Sequence, residues 1–133
     1  MKNLFLSLIL LVLGACTGIP TKTPSKMGKN TSLTNTHWIL EDNSTSNEIT
    51  LFVESDRVSG NASCNDYFGG LTTDVSSGTF KIDKIGATRK ACPKMSAEQY
   101  FLSVLEKVDR YYATNETLEL YEGNVLLLKF KKK

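Results

Sequence analysis

Between residues 33 and 130, apolar residues recur at every second position in short segments, and this alternation limits the chain to a β-rich fold. In residues 48–54, for example, Ile49, Leu51 and Val53 share one face of a predicted strand. Similar segments, separated by turn-forming residues, cover residues 36–41, 57–63, 67–74, 80–85, 110–114, 118–121 and 125–130. The last two flank Glu122-Gly123-Asn124 and form a predicted hairpin. Short antiparallel strands are therefore the expected framework.

One segment has helical rather than strand periodicity. Ser96 and Gln99 have the spacing of a capping box at a helix N-terminus. The apolar residues with helical spacing are Ala97, Tyr100, Phe101, Val104, Leu105 and Val108. Because a stripe of this kind usually packs against a core, one helix is expected to plug or cover the sheet.

Composition and charge narrow the class of protein. A chain of 133 residues with 41% hydrophobic and 23% charged residues is one small globular domain, which excludes a multidomain enzyme. The net charge is only +2, and residues 33–128 carry eight basic against fourteen acidic side chains. An acidic folded region argues against nucleic-acid binding, which needs concentrated Lys and Arg. The basic N-terminal segment and C-terminus fit a solvated surface near anionic lipid headgroups.

The N-terminus has the features of an export signal. Lys2 precedes an apolar run over residues 4–13, which is too short to span the ~30 Å hydrocarbon core of a bilayer and fits a cleaved signal peptide. The run ends in Leu13-Gly14-Ala15-Cys16, which resembles the lipobox of bacterial lipoproteins. The resemblance implies cleavage after residue 15 and lipidation of Cys16. Several acyl chains would then anchor the mature protein permanently to a membrane.

Residues 16–32 are predicted to be the lipidated cysteine and a flexible tether. Polar residues, Gly and Pro dominate this segment, and no periodicity is present. Thr17 resembles the outer-membrane sorting signal of Gram-negative lipoproteins. We therefore expect a location in the bacterial envelope, on the outer membrane facing the periplasm if the cell is Gram-negative. The folded domain is predicted to comprise residues 33–133.

The two remaining cysteines, Cys64 and Cys92, form an even pair in an exported domain, and a disulfide is their simplest interpretation. Closing a loop of this length contributes about 3.5 kcal/mol on the chain-entropy model. The alternative is a Cys64 nucleophile with His37 as its base, but the single histidine leaves no third member for a catalytic set.

Other chemical templates are absent from the sequence. Two cysteines and one histidine lack the paired short spacings of a zinc site. The fourteen acidic residues could contain a glycosidase pair, but their spacing singles out none. The chain has neither a phosphate-cradling glycine loop nor a Gly-x-Ser-x-Gly elbow. We therefore predict no catalytic residue, no metal ligand and no cofactor.

Two segments fit no catalytic template, namely residues 58–67 (VSGNASCNDY) and 85–92 (IGATRKAC). With Trp38 before them and the pattern Glu98-x-x-Phe101-x-x-x-Leu105 after them, they resemble the META domain of HslJ-like bacterial lipoproteins. Two positions depart from that family. Ser63 stands where the family usually has Gly, which asks for a backbone compatible with a side chain, and Lys90 replaces the usual Met, which suggests an exposed position.

The resemblance implies an α+β fold in which a small antiparallel sheet curls into a partly open barrel with one α-helix, similar to that of secretion pilotin lipoproteins. Besides Cys64 and Cys92, the matching motif residues are Trp38, Gly60, Asn65, Tyr67, Thr88 and Arg89. Structural roles can account for three of these residues without catalysis. Gly60 permits a bulge or close approach, Asn65 tolerates a left-handed turn, and Arg89 can bind backbone carbonyls across the barrel rim.

The resemblance also implies a role in envelope stress and antibiotic tolerance, without a defined reaction. The leading hypothesis is a monomeric, non-catalytic lipoprotein that holds a partner protein or an apolar ligand. One alternative is an inhibitor of a periplasmic enzyme of the lysozyme type, with residues 42–47 or 74–78 as the inhibitory loop. Another is a pilotin-like chaperone for an outer-membrane secretin.

Overall fold

A computed structural model describes residues 29–41, 48–93 and 95–133 of the chain. Within these ranges the elements are β1 (Thr36–Leu40), β2 (Thr50–Val53), β3 (Arg57–Asn61), β4 (Asp66–Asp74), β5 (Thr79–Ala87), α1 (Met95–Leu105), β6 (Arg110–Ala113), β7 (Thr117–Glu122) and β8 (Val125–Lys132). Each predicted segment corresponds to one of these elements. The predicted signal peptide, Cys16, most of the tether and the candidate loop at residues 42–47 lie outside the described residues.

The strands form one closed antiparallel barrel in sequence order. Closure is made by β1 and β8, which pair from Trp38 opposite Lys132 to Leu40 opposite Phe130. The prediction of a partly open barrel is therefore corrected, because pairing of the first and last strands removes the two free edges of the sheet. The weakest seam lies between β5 and β6, which share the single residue pair Thr79 and Arg110.

Large side chains fill the interior of the barrel. Inward positions alternate along each strand, as in β4, where Tyr67 and Leu71 are buried and their neighbours Phe68 and Thr72 are exposed. The largest fully buried side chains include Trp38, Tyr67, Tyr111, Phe80 and Phe130. The core is therefore a packed β-barrel interior rather than the face of an open sheet.

Helix α1 connects the end of β5 to the start of β6 and buries one side against the core. Its buried residues are Glu98, Phe101, Val104 and Leu105. Tyr100, which the sequence pattern placed in the apolar stripe, is 72% exposed, so that assignment is wrong. Glu98, which was not part of the predicted stripe, is buried in the first turn, whereas Phe101, Val104 and Leu105 are buried as predicted. Among the described residues no helix has the length and apolar character needed to cross a bilayer.

The N-terminal residues of the described chain are attached to β6. The backbone N–H of Ala113 donates to Asn30 Oδ1 at 2.9 Å, and the backbone N–H of Thr31 donates to the Ala113 carbonyl at 3.2 Å. The Tyr111 hydroxyl also donates to the Thr31 carbonyl at 3.3 Å. Contacts with the barrel therefore begin before residue 33, where the sequence placed the start of the domain.

Candidate functional site

The two motif segments meet at one end of the barrel, where a disulfide joins them. Cys64 lies in the connection between β3 and β4, and Cys92 lies after β5. The two residues are bonded, with 6.4 Å between their Cα atoms, and they are 28 positions apart in the sequence. Because Cys64 is in a disulfide, it is not available as a thiolate nucleophile, and the alternative of a Cys64–His37 pair is not supported.

Asn65 is the centre of a buried hydrogen-bond network next to this disulfide. Its side-chain carbonyl accepts from the Thr88 hydroxyl at 2.8 Å and from the backbone N–H of Lys90 at 2.7 Å. Its amide nitrogen donates to both carboxylate oxygens of Glu98, at 3.0 and 3.1 Å, and to the Lys90 carbonyl at 3.2 Å. All hydrogen-bonding groups of this fully buried amide are therefore used within the chain.

Glu98 supplies the charge of this network, and the sequence pattern did not identify it as a site residue. It lies in the first turn of α1 and is 5% exposed. Its carboxylate also accepts from the backbone N–H of Asn65 at 2.9 Å. The partial positive charge at the helix N-terminus favours a carboxylate at this position. The available signal was its first place in the pattern Glu98-x-x-Phe101-x-x-x-Leu105 of the family resemblance. We call Asn65, Thr88, Lys90 and Glu98 the Asn65 cluster.

Gly60 and Tyr67 both lie against the Thr50 carbonyl, at a close approach between strands β2 and β3. A Cβ atom on Gly60 would overlap the carbonyl oxygen of Thr50 and lie 2.9 Å from the Tyr67 hydroxyl. That hydroxyl donates to the same Thr50 carbonyl at 2.7 Å. The proposed close approach at Gly60 is thus present, and its partner is β2. Burial raises the pKa of Tyr67 well above its usual value.

The left-handed residue of the first motif is Ser63, not Asn65 as predicted. Ser63 has φ 87°, and Asn65 is not among the described residues with positive φ. The expectation that Ser63 has a backbone suited to a side chain is therefore wrong. The glycine that the resembled family has at this position would adopt that conformation without the steric cost of a Cβ atom.

The remaining motif residues differ in their surroundings. Trp38 is buried in the barrel, and its indole N–H donates to the Thr36 hydroxyl at 2.7 Å. Lys90 is exposed, as expected from its replacement of Met. Arg89 is also exposed and makes no hydrogen bond or ion pair with the described residues, so its predicted contact with carbonyls across the rim is not formed there.

A catalytic reaction needs accessible acidic, basic or nucleophilic side chains, and the described residues near the disulfide provide few of them. His37 is exposed, with its ring 5.4 Å from that of Phe52. No group of three or more His, Cys, Asp or Glu side chains suited to a metal ion occurs in the described part of the chain. Glu98, the buried acid of the Asn65 cluster, is bonded to Asn65. The side chains of Asn65 and Glu98 are therefore bonded to each other, whereas Lys90 takes part through its backbone and exposes its side chain.

A pocket of about 490 Å³ opens where the N-terminal segment joins the barrel. It is lined by Lys29, Asn30, residues 75–78, Arg110 and Tyr111. We call this the tether pocket. Residues 75–78 follow Asp74 in the turn between β4 and β5, one of the two predicted inhibitory loops. The Asp74 carboxylate accepts from the backbone N–H groups of Ser76 and Ser77 at 2.7 and 3.1 Å, so the segment is a tight turn.

These residues define a class of domain, namely a closed antiparallel barrel with one helix. A disulfide and a buried Asn–Glu pair hold the chain together at one end of the barrel. The family model of the META domain matches residues 31–133. The chain therefore belongs to the META domain family.

Solved structures share this fold. A protein from Burkholderia xenovorans, determined by NMR, has a TM-score of 0.63 and 23% identity, with 86% of this chain and 99% of that chain covered. A second NMR structure has a TM-score of 0.56 and 20% identity, with 73% and 88% covered. Identities this low support the fold alone. No curated protein matches the chain at a significant level.

Proposed function

We propose that this protein is a lipid-anchored lipoprotein of the bacterial envelope that acts by binding a partner and not by catalysis. The observation that carries the proposal is that the hydrogen-bonding groups of the Asn65 side chain are all bonded within the chain. Asn65 is fully buried, and its donors and acceptors bond to Thr88, Lys90 and Glu98. Among the motif residues, Asn65 and Thr88 are thus used to hold the chain together, whereas Arg89 is exposed on the surface, where we propose that function lies.

The filled interior favours an exterior binding site over an apolar ligand inside the barrel. Trp38, Tyr67, Phe80, Tyr111 and Phe130 have less than 2% of their surface exposed. A ligand between the strands would have to displace these side chains, at the cost of native packing. A partner protein or an envelope component is therefore the preferred ligand class, and a contribution to envelope stress tolerance is the proposed consequence.

Metabolic labelling with palmitate tests the anchor. The wild-type chain is expected to incorporate the label and to fractionate with membranes. The Cys16→Ser variant is expected to lose the label and to remain soluble or unprocessed, because it lacks the thiol that accepts the lipid. Equal labelling of the two chains would contradict the proposed anchor.

The binding role is tested by complementing a deletion strain under envelope stress and by capturing partners from envelope extracts. Wild-type protein should restore tolerance and enrich a defined protein or lipid over the Cys16→Ser control. Arg89→Gln, which changes an exposed motif side chain, is a surface variant for the same assay. A hydrolytic activity that disappears in a correctly folded Cys64→Ala variant would contradict a non-catalytic role. Capture of lysozyme or a secretin would favour one of the two alternatives.

A further inference from the structure

The tether pocket is unusual because the N-terminal segment forms part of its wall. Lys29 and Asn30 line it on one side, and the barrel contributes the 75–78 turn and the start of β6. Asn30 is fixed there by the bond from the Ala113 backbone N–H to its side-chain oxygen, and its amide donates to the Tyr111 carbonyl at 3.3 Å. The wall is therefore bonded to the barrel.

Arg110 enters this pocket with most of its donors unused. Its Nη2 donates to Asn124 Oδ1 at 3.4 Å, near the long limit for a hydrogen bond. Its buried Nε has no hydrogen-bond partner among the described residues. The ion pairs formed by the described side chains belong to Lys129 and Lys133 and not to Arg110. A guanidinium carries five N–H donors, so this one has capacity for a further ligand.

Three acids that adjoin a lining residue in the sequence, or bond to the strand partner of one, form hydrogen bonds within the chain. Asp74 accepts from the turn that follows it, and these hydrogen bonds keep its pKa below the usual value, so the carboxylate is charged. Glu119 accepts from the Tyr121 hydroxyl at 2.6 Å and pairs with Lys129. Asp109 accepts from the backbone N–H of Gly123 at 3.0 Å.

The charge that remains in the pocket is positive. Lys29 and Arg110 line it, and Asp74 is the acid directly beside the lining turn. None of the lining residues is acidic, so the lining itself carries two positive charges. The lining therefore favours an anionic ligand.

We propose that the tether pocket binds a phosphate diester. A diester carries one negative charge and presents two free oxygens, which a guanidinium binds in a bidentate manner. A volume of about 490 Å³ exceeds the need of a bare ion and accommodates the organic groups on both sides of the phosphorus. The hydroxyl of Ser77, within the lining turn, is a further polar group at the site.

The diester can come from a lipid headgroup or from a soluble molecule. A lipid source rests on the proposed anchor at Cys16. If residues 16–32 form the tether that the sequence predicts, a coil of this length spans roughly 20 Å, and the pocket would stay close to the membrane surface. A soluble source needs no anchor.

Binding is tested by ¹⁵N NMR on the mature chain carrying Cys16→Ser, with dimethyl phosphate as the probe and acetate as a carboxylate of equal charge. Dimethyl phosphate is expected to shift the Gly78 amide and the Arg110 side-chain N–H. The Arg110→Gln variant should weaken binding about tenfold, because it removes a charge-assisted hydrogen bond. Lys107→Gln removes the same charge from an exposed site outside the pocket and should change affinity less than about twofold.

Three results would overturn the proposal. These are an equal loss of affinity in the two variants, acetate binding as strong as dimethyl phosphate binding, and shifts confined to residues outside the pocket. If Arg110→Gln does not give a folded spectrum, Lys29→Gln tests the same pocket. Lys29 is exposed and lies outside the strands, so its replacement should leave the fold intact.

Vesicles distinguish the two sources of the diester. Arg110-dependent binding to phosphatidylglycerol vesicles, beyond that of phosphatidylcholine vesicles, assigns the site to a lipid headgroup. Binding of dimethyl phosphate without Arg110-dependent vesicle binding assigns it to a soluble diester. Because these measurements use an unlipidated chain, a lack of binding at the tether pocket does not affect the palmitate-labelling test of the anchor.

Discussion

Asn65 and Glu98 are 33 positions apart in the sequence and are joined by three hydrogen bonds of 2.9 to 3.1 Å. Both residues are buried, so the pair ties the turn between β3 and β4 to the first turn of α1. A buried carboxylate is costly unless its hydrogen bonds are made, and here the donors are the side-chain amide and the backbone N–H of Asn65. The partial positive charge at the N-terminus of α1 also favours the carboxylate. This pair is the main polar link between the helix and the barrel.

We expect Glu98→Gln to destabilise the protein by about 2 kcal/mol, because it sets a second amide donor against the donating Nδ2 of Asn65. Urea unfolding followed by far-UV circular dichroism measures the change. Glu106→Gln, at an exposed position just after α1, is the matched control and should alter the free energy of unfolding by less than about 0.5 kcal/mol. Equal stabilities of the two variants would show that the Asn65 cluster contributes little.

The sequence could predict the strands and the helix, but not that the strands close into a barrel. Alternating apolar residues located each strand, because the period of two reflects which side chains face a core. Pairing of Trp38 with Lys132 joins residues from opposite ends of the domain, and no local pattern encodes such a contact. The closed barrel therefore became visible only in three dimensions.

The helix shows why a hydrophobic pattern alone misplaced a residue. Tyr100 has the spacing of the apolar stripe, yet it is exposed while Glu98 is buried. A pattern counts a carboxylate as a surface residue, since it does not contain the donors that Asn65 supplies from another part of the chain. The same limitation applied to Ser63, whose positive φ lies in the turn between β3 and β4, next to the disulfide-bonded Cys64.

Gly60→Ala is expected to destabilise the barrel by about 3 kcal/mol, since its methyl group would overlap the Thr50 carbonyl and crowd the Tyr67 hydroxyl. Gly70→Ala is the matched control, because its Cβ would lie 3.8 Å from the nearest atoms of Asp83. The control should change the free energy of unfolding by no more than about 0.5 kcal/mol. Thermal and urea unfolding would compare them, and similar losses in both would rule out a special role for the approach at Gly60.

Lys84→Gly is expected to stabilise the protein by about 0.5–1 kcal/mol. Lys84 has φ 48° at an irregularity in the β4–β5 ladder, where Gly adopts the conformation without the cost of a Cβ atom. Lys81→Gly, at an exposed position of the same strand, should instead destabilise by a similar amount because Gly weakens regular strands. Urea midpoints give both values, and a loss of stability in Lys84→Gly would show that the lysine is unstrained.

Stability is expected to fall as the pH rises above about 10, because buried tyrosines resist ionisation in the folded state. Burial raises the pKa of Tyr67, and burial together with the hydrogen bond to Glu119 raises the pKa of Tyr121 to about 12. An unfolded tyrosine ionises near pH 10, so the contribution of Tyr121 is complete below that pH and is lost as the pH rises through about 12. Urea unfolding at a series of pH values measures the slope. Tyr121→Phe should reduce the slope between pH 10 and 12, and parallel curves for this variant and the wild type would contradict a raised pKa at Tyr121.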